Sequence, residues 1–264
     1  MKKIAFERRL DVLDMVMASK SGHIGGSMSC MDILVTLYYR VMDVGGILAG
    51  DDVRDRFILS KGHCAEALYS VLADRGFIPK ESLRTFAEFD TPLSGHPTKK
   101  VRGVEAATGA LGHGLPLGVG MAMGSAGRVF VLMGDGELAE GTVWEAAMAA
   151  AKFRLANLTA VIDRNRLQIS GGTEDVMPLE DLGAKFRSFG WELRTCNGHE
   201  PGEIADAVTK DRPDGRPLAV IAETVKGYGS AVTENKADWH HSVPNAEQYG
   251  QIKSDLKRGR DGRG

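Results

Sequence analysis

The 264-residue chain is 43% hydrophobic and 26% charged with a formal net charge of −2, which excludes global disorder and allows a large buried core. Near-neutrality argues against a dedicated nucleic-acid binder, and no apolar run approaches the length of a membrane span. Cys30, Cys64 and Cys196 stand far apart without a CxxC pair, so neither a disulfide framework nor a zinc site is expected, and a reducing cytoplasm fits. In MKKIAFERRL, charges arrive where a signal peptide needs its apolar stretch.

The N-terminal third reads helical. Phe6, Leu10, Leu13 and Met17 recur at helical spacing over residues 4–19, a break follows at 21–26, and a second helix is expected from Ser29 to Met42. Phe57-Ile58-Leu59 is a short apolar run ending in SKGH, with a helix after it to Arg75. The segment 113–125 carries Gly114, Gly118, Gly120 and Gly124, small enough for a helix to lie close to its neighbours. From there strands at 129–133, 158–162, 191–196 and 218–224 alternate with helices at 137–153, 180–188 and 200–210. That alternation predicts an α/β fold, a parallel sheet covered by helices on both faces. One domain is expected over residues 1–252, followed at 253–264 by a basic, disordered tail.

Glycine is enriched, and five of the seven histidines directly follow one: His23, His63, His96, His113 and His199. A histidine after glycine sits where the backbone turns, so this set reads as imidazoles borne on loops. The central motif is Gly134-Asp135-Gly136 directly after a buried strand, with Asn165 just after the next one. A crossover between those strands brings Asp135 and Asn165 together at the carboxyl edge of the sheet, where ligands bind. A carboxylate beside an amide oxygen suits a hard cation such as Mg²⁺, which completes its octahedron from phosphate and water. The two glycines let backbone amides approach a phosphate, and a helix starting at 137 would aim its positive end there. No GxGxxG, P-loop, HExxH or GxSxG motif competes with this reading.

In this order the chain also contains SGHIGGSMS (21–29), LSKGHCAEALY (59–69), SGHP (94–97), TGALGHG (108–114), GDGELAEG (134–141), DRNRLQISG (163–171) and NKADWHH (235–241). Together these motifs resemble the N-terminal, diphosphate-binding part of transketolase over roughly residues 8–250. The resemblance implies the thiamine diphosphate-binding fold, and transfer of a two-carbon ketol unit from a ketose (phosphate) to an aldose (phosphate). It also implies thiamine diphosphate with Mg²⁺ as cofactors, Ca²⁺ or Mn²⁺ substituting. Asp135, Asn165 and the Leu167 carbonyl match the metal ligands. Gly134, Gly136 and His63 match the diphosphate site, and Gly109 and Leu111 the contacts to the cofactor's rings. Glu137 falls beside the cofactor, and Glu140 on an acid shared between paired sites. His23, His63, His96 and His240 match the active-site histidines, with His241 an alternative to His240. His113 is expected to be structural and His199 a surface or capping residue. Ile24 departs from the family's usual SGHPG.

Familiar transketolases carry a second, pyrimidine-binding domain that no segment here resembles. The resemblance therefore implies an obligate partner subunit carrying that domain, with self-association in an α₂β₂ assembly and sugar phosphate substrates. Two other readings stay open: a subunit of a 1-deoxyxylulose-5-phosphate synthase-like enzyme, and a non-catalytic cofactor-binding subunit.

Overall fold

The computed structural model describes residues 1–212 and 215–262. Its centre is a five-stranded, all-parallel sheet. The sheet strands are β1 (Arg56–Leu59), β2 (Val129–Gly134), β3 (Leu158–Arg164), β6 (Glu192–Asn197) and β7 (Leu218–Glu223), in the order β1-β2-β3-β7-β6. A small antiparallel hairpin, β4 (Leu167–Gln168) with β5 (Gly171–Gly172), follows β3.

Alternate residues of the buried strands feed two separate cores, as a sheet covered on both faces requires. Phe130 and Leu132 face the larger core, while Val129, Val131 and Met133 face the other. The larger core is closed by α1 (Lys2–Ser19), α2 (Ile24–Ser29), α3 (Met31–Thr36), α5 (Ala65–Asp74), α10 (Pro201–Thr209) and α11 (Ala246–Arg260). The second is closed by α6 (Gly114–Met123), α7 (Gly141–Lys152) and α9 (Leu182–Ser188). Short helices α4 (Val44–Ala49) and α8 (Thr173–Val176) complete the set. Gly118 of α6 shows why that helix is glycine-rich, since a Cβ there would come within 2.5 Å of Val131.

Four expectations need correction. Residues 24–29 are a buried helix rather than a break, its two glycines held helical by packing instead of propensity. The helix expected over 29–42 is α3 followed by a π-helical turn at Leu37–Val41. The helix expected at 137 begins only at Gly141; a 3₁₀ turn, Gly136–Ala139, stands before it. The expected disordered tail is helical to Arg260, with Ile252 and Leu256 fully buried and Tyr249 and Lys253 bonded to Asp14 of α1. Residues 263–264 of that tail lie outside the described residues. The helix expected over residues 4–19 is present as α1; Ala5, Val12, Leu13 and Val16 are among its buried residues, and Phe6, Leu10 and Met17 are half-buried.

Candidate active site

The carboxyl edge of the sheet gathers the motifs. Gly134 pairs with Asp163 at the last rung between β2 and β3, so Asp135 and Asn165 emerge side by side. Asp135 Oδ2 accepts the Arg166 N–H at 2.5 Å, and Asn165 Oδ1 accepts the Leu167 N–H at 3.1 Å. One knot of backbone thus holds all three anticipated metal-ligating groups. Burial, and then the neighbouring Asp163, push the Asp135 carboxyl above its ordinary range. Among the described residues no cluster of three His, Cys, Asp or Glu side chains forms a metal cage. The donors here are instead a carboxylate, a carboxamide and a carbonyl, an all-oxygen set that fits a hard cation sharing its shell with a phosphate ligand.

The amides of Gly134 and Gly136 are not free to meet a phosphate. Gly134 N–H donates to Glu137 Oε2 at 3.1 Å and Gly136 N–H to Asp135 Oδ1 at 2.8 Å. Glu137 is likewise not exposed to a cofactor: buried, it also accepts Gly112 N–H at 2.8 Å and the Ser60 hydroxyl. Its carboxylate ties the ends of β1 and β2 to the 108–114 loop.

Five histidines surround the cleft. The His23 ring centroid lies 5.3 Å from His63, 5.9 Å from His96, 5.5 Å from His240 and 4.6 Å from His241. Each arrives on a different device. His23 caps α2, and its backbone N–H is held at 2.7 Å by the buried Glu66 carboxyl. His63 sits in the turn before α5. His96 packs on Gly109, whose φ of +138° and lack of a Cβ are both required, because a Cβ would meet the ring at 2.8 Å. The segment bearing His240 and His241 crosses α2 where the Trp239 carbonyl lies over Gly25.

Burial, reinforced by the neighbouring imidazoles, lowers the His23 ring to about 4. Burial and then Lys226 lower His240 to about 3, and burial and His63 also lower His96. Near neutral pH these are uncharged rings that donate and accept at once. His23 Nδ1 is buried without a hydrogen-bond partner among the described residues, an atom left for a ligand.

Lys226 was missed by sequence reasoning. It is 2% exposed, and its Nζ donates to the Leu167 carbonyl at 3.1 Å and to His240 Nδ1 at 3.0 Å. The second bond leaves Nε2 as the nitrogen that carries the proton of a neutral His240. A lysine shortly after the buried strand β7, on the same sheet edge as Asp135 and Asn165, was the available signal. Beneath it, buried Asp163 binds Lys61, Ser29 and Thr224, a polar floor under the cleft.

The remaining sequence candidates lie on or around the 108–114 loop, His199 excepted. Glu140 is the exposed N-cap of α7, beside Gly112, and Leu111 is exposed on its loop. His113 is exposed, with Nδ1 3.0 Å from the Leu111 carbonyl. His199 is neither surface nor cap: it is buried against Asp32.

A family model described as "Transketolase, thiamine diphosphate binding domain" matches residues 1–260. The chain belongs to the transketolase family. Among its relatives is one subunit of the apulose-4-phosphate transketolase of Phocaeicola vulgatus, 47% identical over 92% of this chain and 89% of that one. The 6-deoxy-6-sulfo-D-fructose transketolase subunit SqwG of a Clostridium species is 38% identical over 90% of this chain and 89% of that one. Transketolase of Homo sapiens is 36% identical over 97% of this chain but only 43% of its own length. The crystal structure of Campylobacter jejuni transketolase superposes with a TM-score of 0.88 at 28% identity, covering 97% of this chain. The transketolase-family chain described here spans 42% of that solved chain. No helix among its described residues is long and apolar enough to cross a membrane.

Proposed function

We propose that this chain is the diphosphate-binding subunit of a two-subunit transketolase, moving a two-carbon ketol unit between sugar phosphates. The observation that carries the reading is the convergence of five imidazoles on a cleft floored by Asp135, Asn165 and the Leu167 carbonyl. Relatives named as individual transketolase subunits match it nearly end to end, which supports a separate partner bearing the pyrimidine-binding domain.

In this reading Asp135, Asn165 and Leu167 would hold Mg²⁺, Lys226 would balance the charge of the cofactor's diphosphate, and His63 would hydrogen-bond it. Gly134 and Gly136 keep side chains out of its approach, while Gly109 and Leu111 flank the rings. When bound, thiamine diphosphate supplies the electron sink for breaking and remaking the carbon–carbon bond. His23, His96 and His240 hydrogen-bond the sugar's carbonyl and hydroxyl oxygens and move its protons, uncharged rings being suited to neutral hydroxyls. Glu140, exposed at the start of α7, would in this reading meet a second copy of the chain.

A substrate panel tests the chemistry. The assembled enzyme should turn over ketose phosphate donors with aldose acceptors. Turnover of pyruvate in their place would assign the decarboxylating, 1-deoxyxylulose-5-phosphate synthase-like reaction instead.

A further inference from the structure

His199 lies outside the cleft and none of the chemistry above uses it, yet it is bonded through both ring nitrogens. Val225 N–H donates to its Nε2 at 2.9 Å, so the ring proton sits on Nδ1 and is donated to Asp32 Oδ2, also at 2.9 Å. The ring stacks on Tyr228 with centroids 3.7 Å apart, and the Arg9 guanidinium covers Tyr228 at 5.0 Å. Arg9 binds Asp32 at 2.6 Å and the Met28 carbonyl at 2.8 Å, so Asp32 has its counter-charge without the imidazole. What the imidazole adds is an acceptor for Val225.

The position of that bond gives it consequence. Thr224 N–H donates to the Arg164 carbonyl, the end of the guidance the sheet provides. Beyond it the Lys226 carbonyl accepts Asn235 N–H at 2.9 Å and Gly227 N–H donates to the Gly25 carbonyl at 2.9 Å, while the Val225 N–H is held by the His199 side chain. Lys226 stands between these anchors, and its Nζ must reach both the Leu167 carbonyl and His240 Nδ1. We propose that His199, oriented by Asp32, is a positioning residue that locks the segment bearing Lys226 and thereby sets which nitrogen of His240 carries the proton. Asp32 on α3 and His199 after β6 are 167 residues apart, so the relay joins elements distant in sequence to one lysine.

Two substitutions separate the halves of the ring. His199→Gln keeps an acceptor at the far end of the side chain for Val225. His199→Asn keeps a donor toward Asp32 and withdraws that acceptor. Long-range proton–nitrogen NMR of the unliganded full chain reads the His240 tautomer directly. Wild type and H199Q should both show a proton on Nε2 and a bare Nδ1, and H199N should show a mixture. The cofactor arm rests on the proposed function: calorimetry with thiamine diphosphate and Mg²⁺ on the assembled protein should find binding weakened at least tenfold in H199N and within threefold of wild type in H199Q. Equal changes in both variants, or an unchanged His240 signature in H199N, would overturn the proposal as a mere packing effect. Hydrogen exchange at the wild-type Val225 amide adds a test free of substitutions: slow exchange is expected, and exchange at the solvent rate would overturn the relay even if H199N fails to fold. If the wild-type assembly binds no thiamine diphosphate, the proposed function fails and the NMR and exchange arms still decide this one.

Discussion

At the scale of single residues, the cleft works by burying groups that water would otherwise ionise. Glu66 is fully buried, its carboxyl accepting His23 N–H at 2.7 Å and the Ser27 hydroxyl at 3.1 Å, and burial pushes it from 4.5 up to about 8. The folded chain therefore keeps a proton there that the unfolded chain releases, so its contribution is whole below about pH 4.5 and is lost as pH rises to about 8. His23 runs the opposite way: held near 4 against an ordinary 6.5, its contribution is whole above pH 6.5 and is lost as pH falls toward 4. Between pH 6.5 and 8 Glu66 is the one of the two still titrating, and Glu66→Gln should flatten the pH dependence of urea unfolding in that window. An unchanged slope would contradict this account of the group. His63→Ala should lower kcat of the assembled enzyme about 10²-fold or more with the fold intact, as loss of a proton-transfer or hydrogen-bonding group does. Circular dichroism and steady-state kinetics check the two halves of that statement.

At the scale of elements, what was legible in the sequence was what local pattern carries. Strands 129–133 and 218–224 were readable because residues 129–133 and 218–222 are buried and uniformly apolar. Asp135 and Asn165 were readable because they directly follow such strands. The start of α2 was not, since Gly25 and Gly26 break helices by propensity and only the packing around them makes them helical. The amides of the GDG turn were misread for a related reason: Glu137, Gly112 and Ser60 meet only after folding. His199 was misread because its partner, Asp32, lies 167 residues away. Glu137 also gives a prediction about the loops it joins. Glu137→Ala would leave the buried Gly112 and Gly134 amides without acceptors, at about 1–3 kcal/mol each, and Glu137→Gln should retain part of that stability. Chemical denaturation of the two variants measures the difference.

At the scale of the whole molecule, one sheet separates a larger core, closed in part by α1 and α11, from a smaller one closed by α6, α7 and α9. The basic composition of 253–264 concealed the docking of α11, because Ile252 and Leu256 are the only apolar residues after Tyr249. Leu256→Ala should therefore destabilise the chain by about 2–5 kcal/mol, the range for a fully buried leucine, whereas a frayed tail would show no change. Asp135→Ala should abolish the Mg²⁺-dependent binding of thiamine diphosphate to the assembled protein, which calorimetry reads directly. The central claim concerns assembly, and one experiment tests it most directly. Ketol transfer is measured with thiamine diphosphate and Mg²⁺ on this chain alone and on this chain co-expressed with a subunit bearing the pyrimidine-binding domain. The account predicts turnover only in the mixture; robust turnover by the verified chain alone would contradict it.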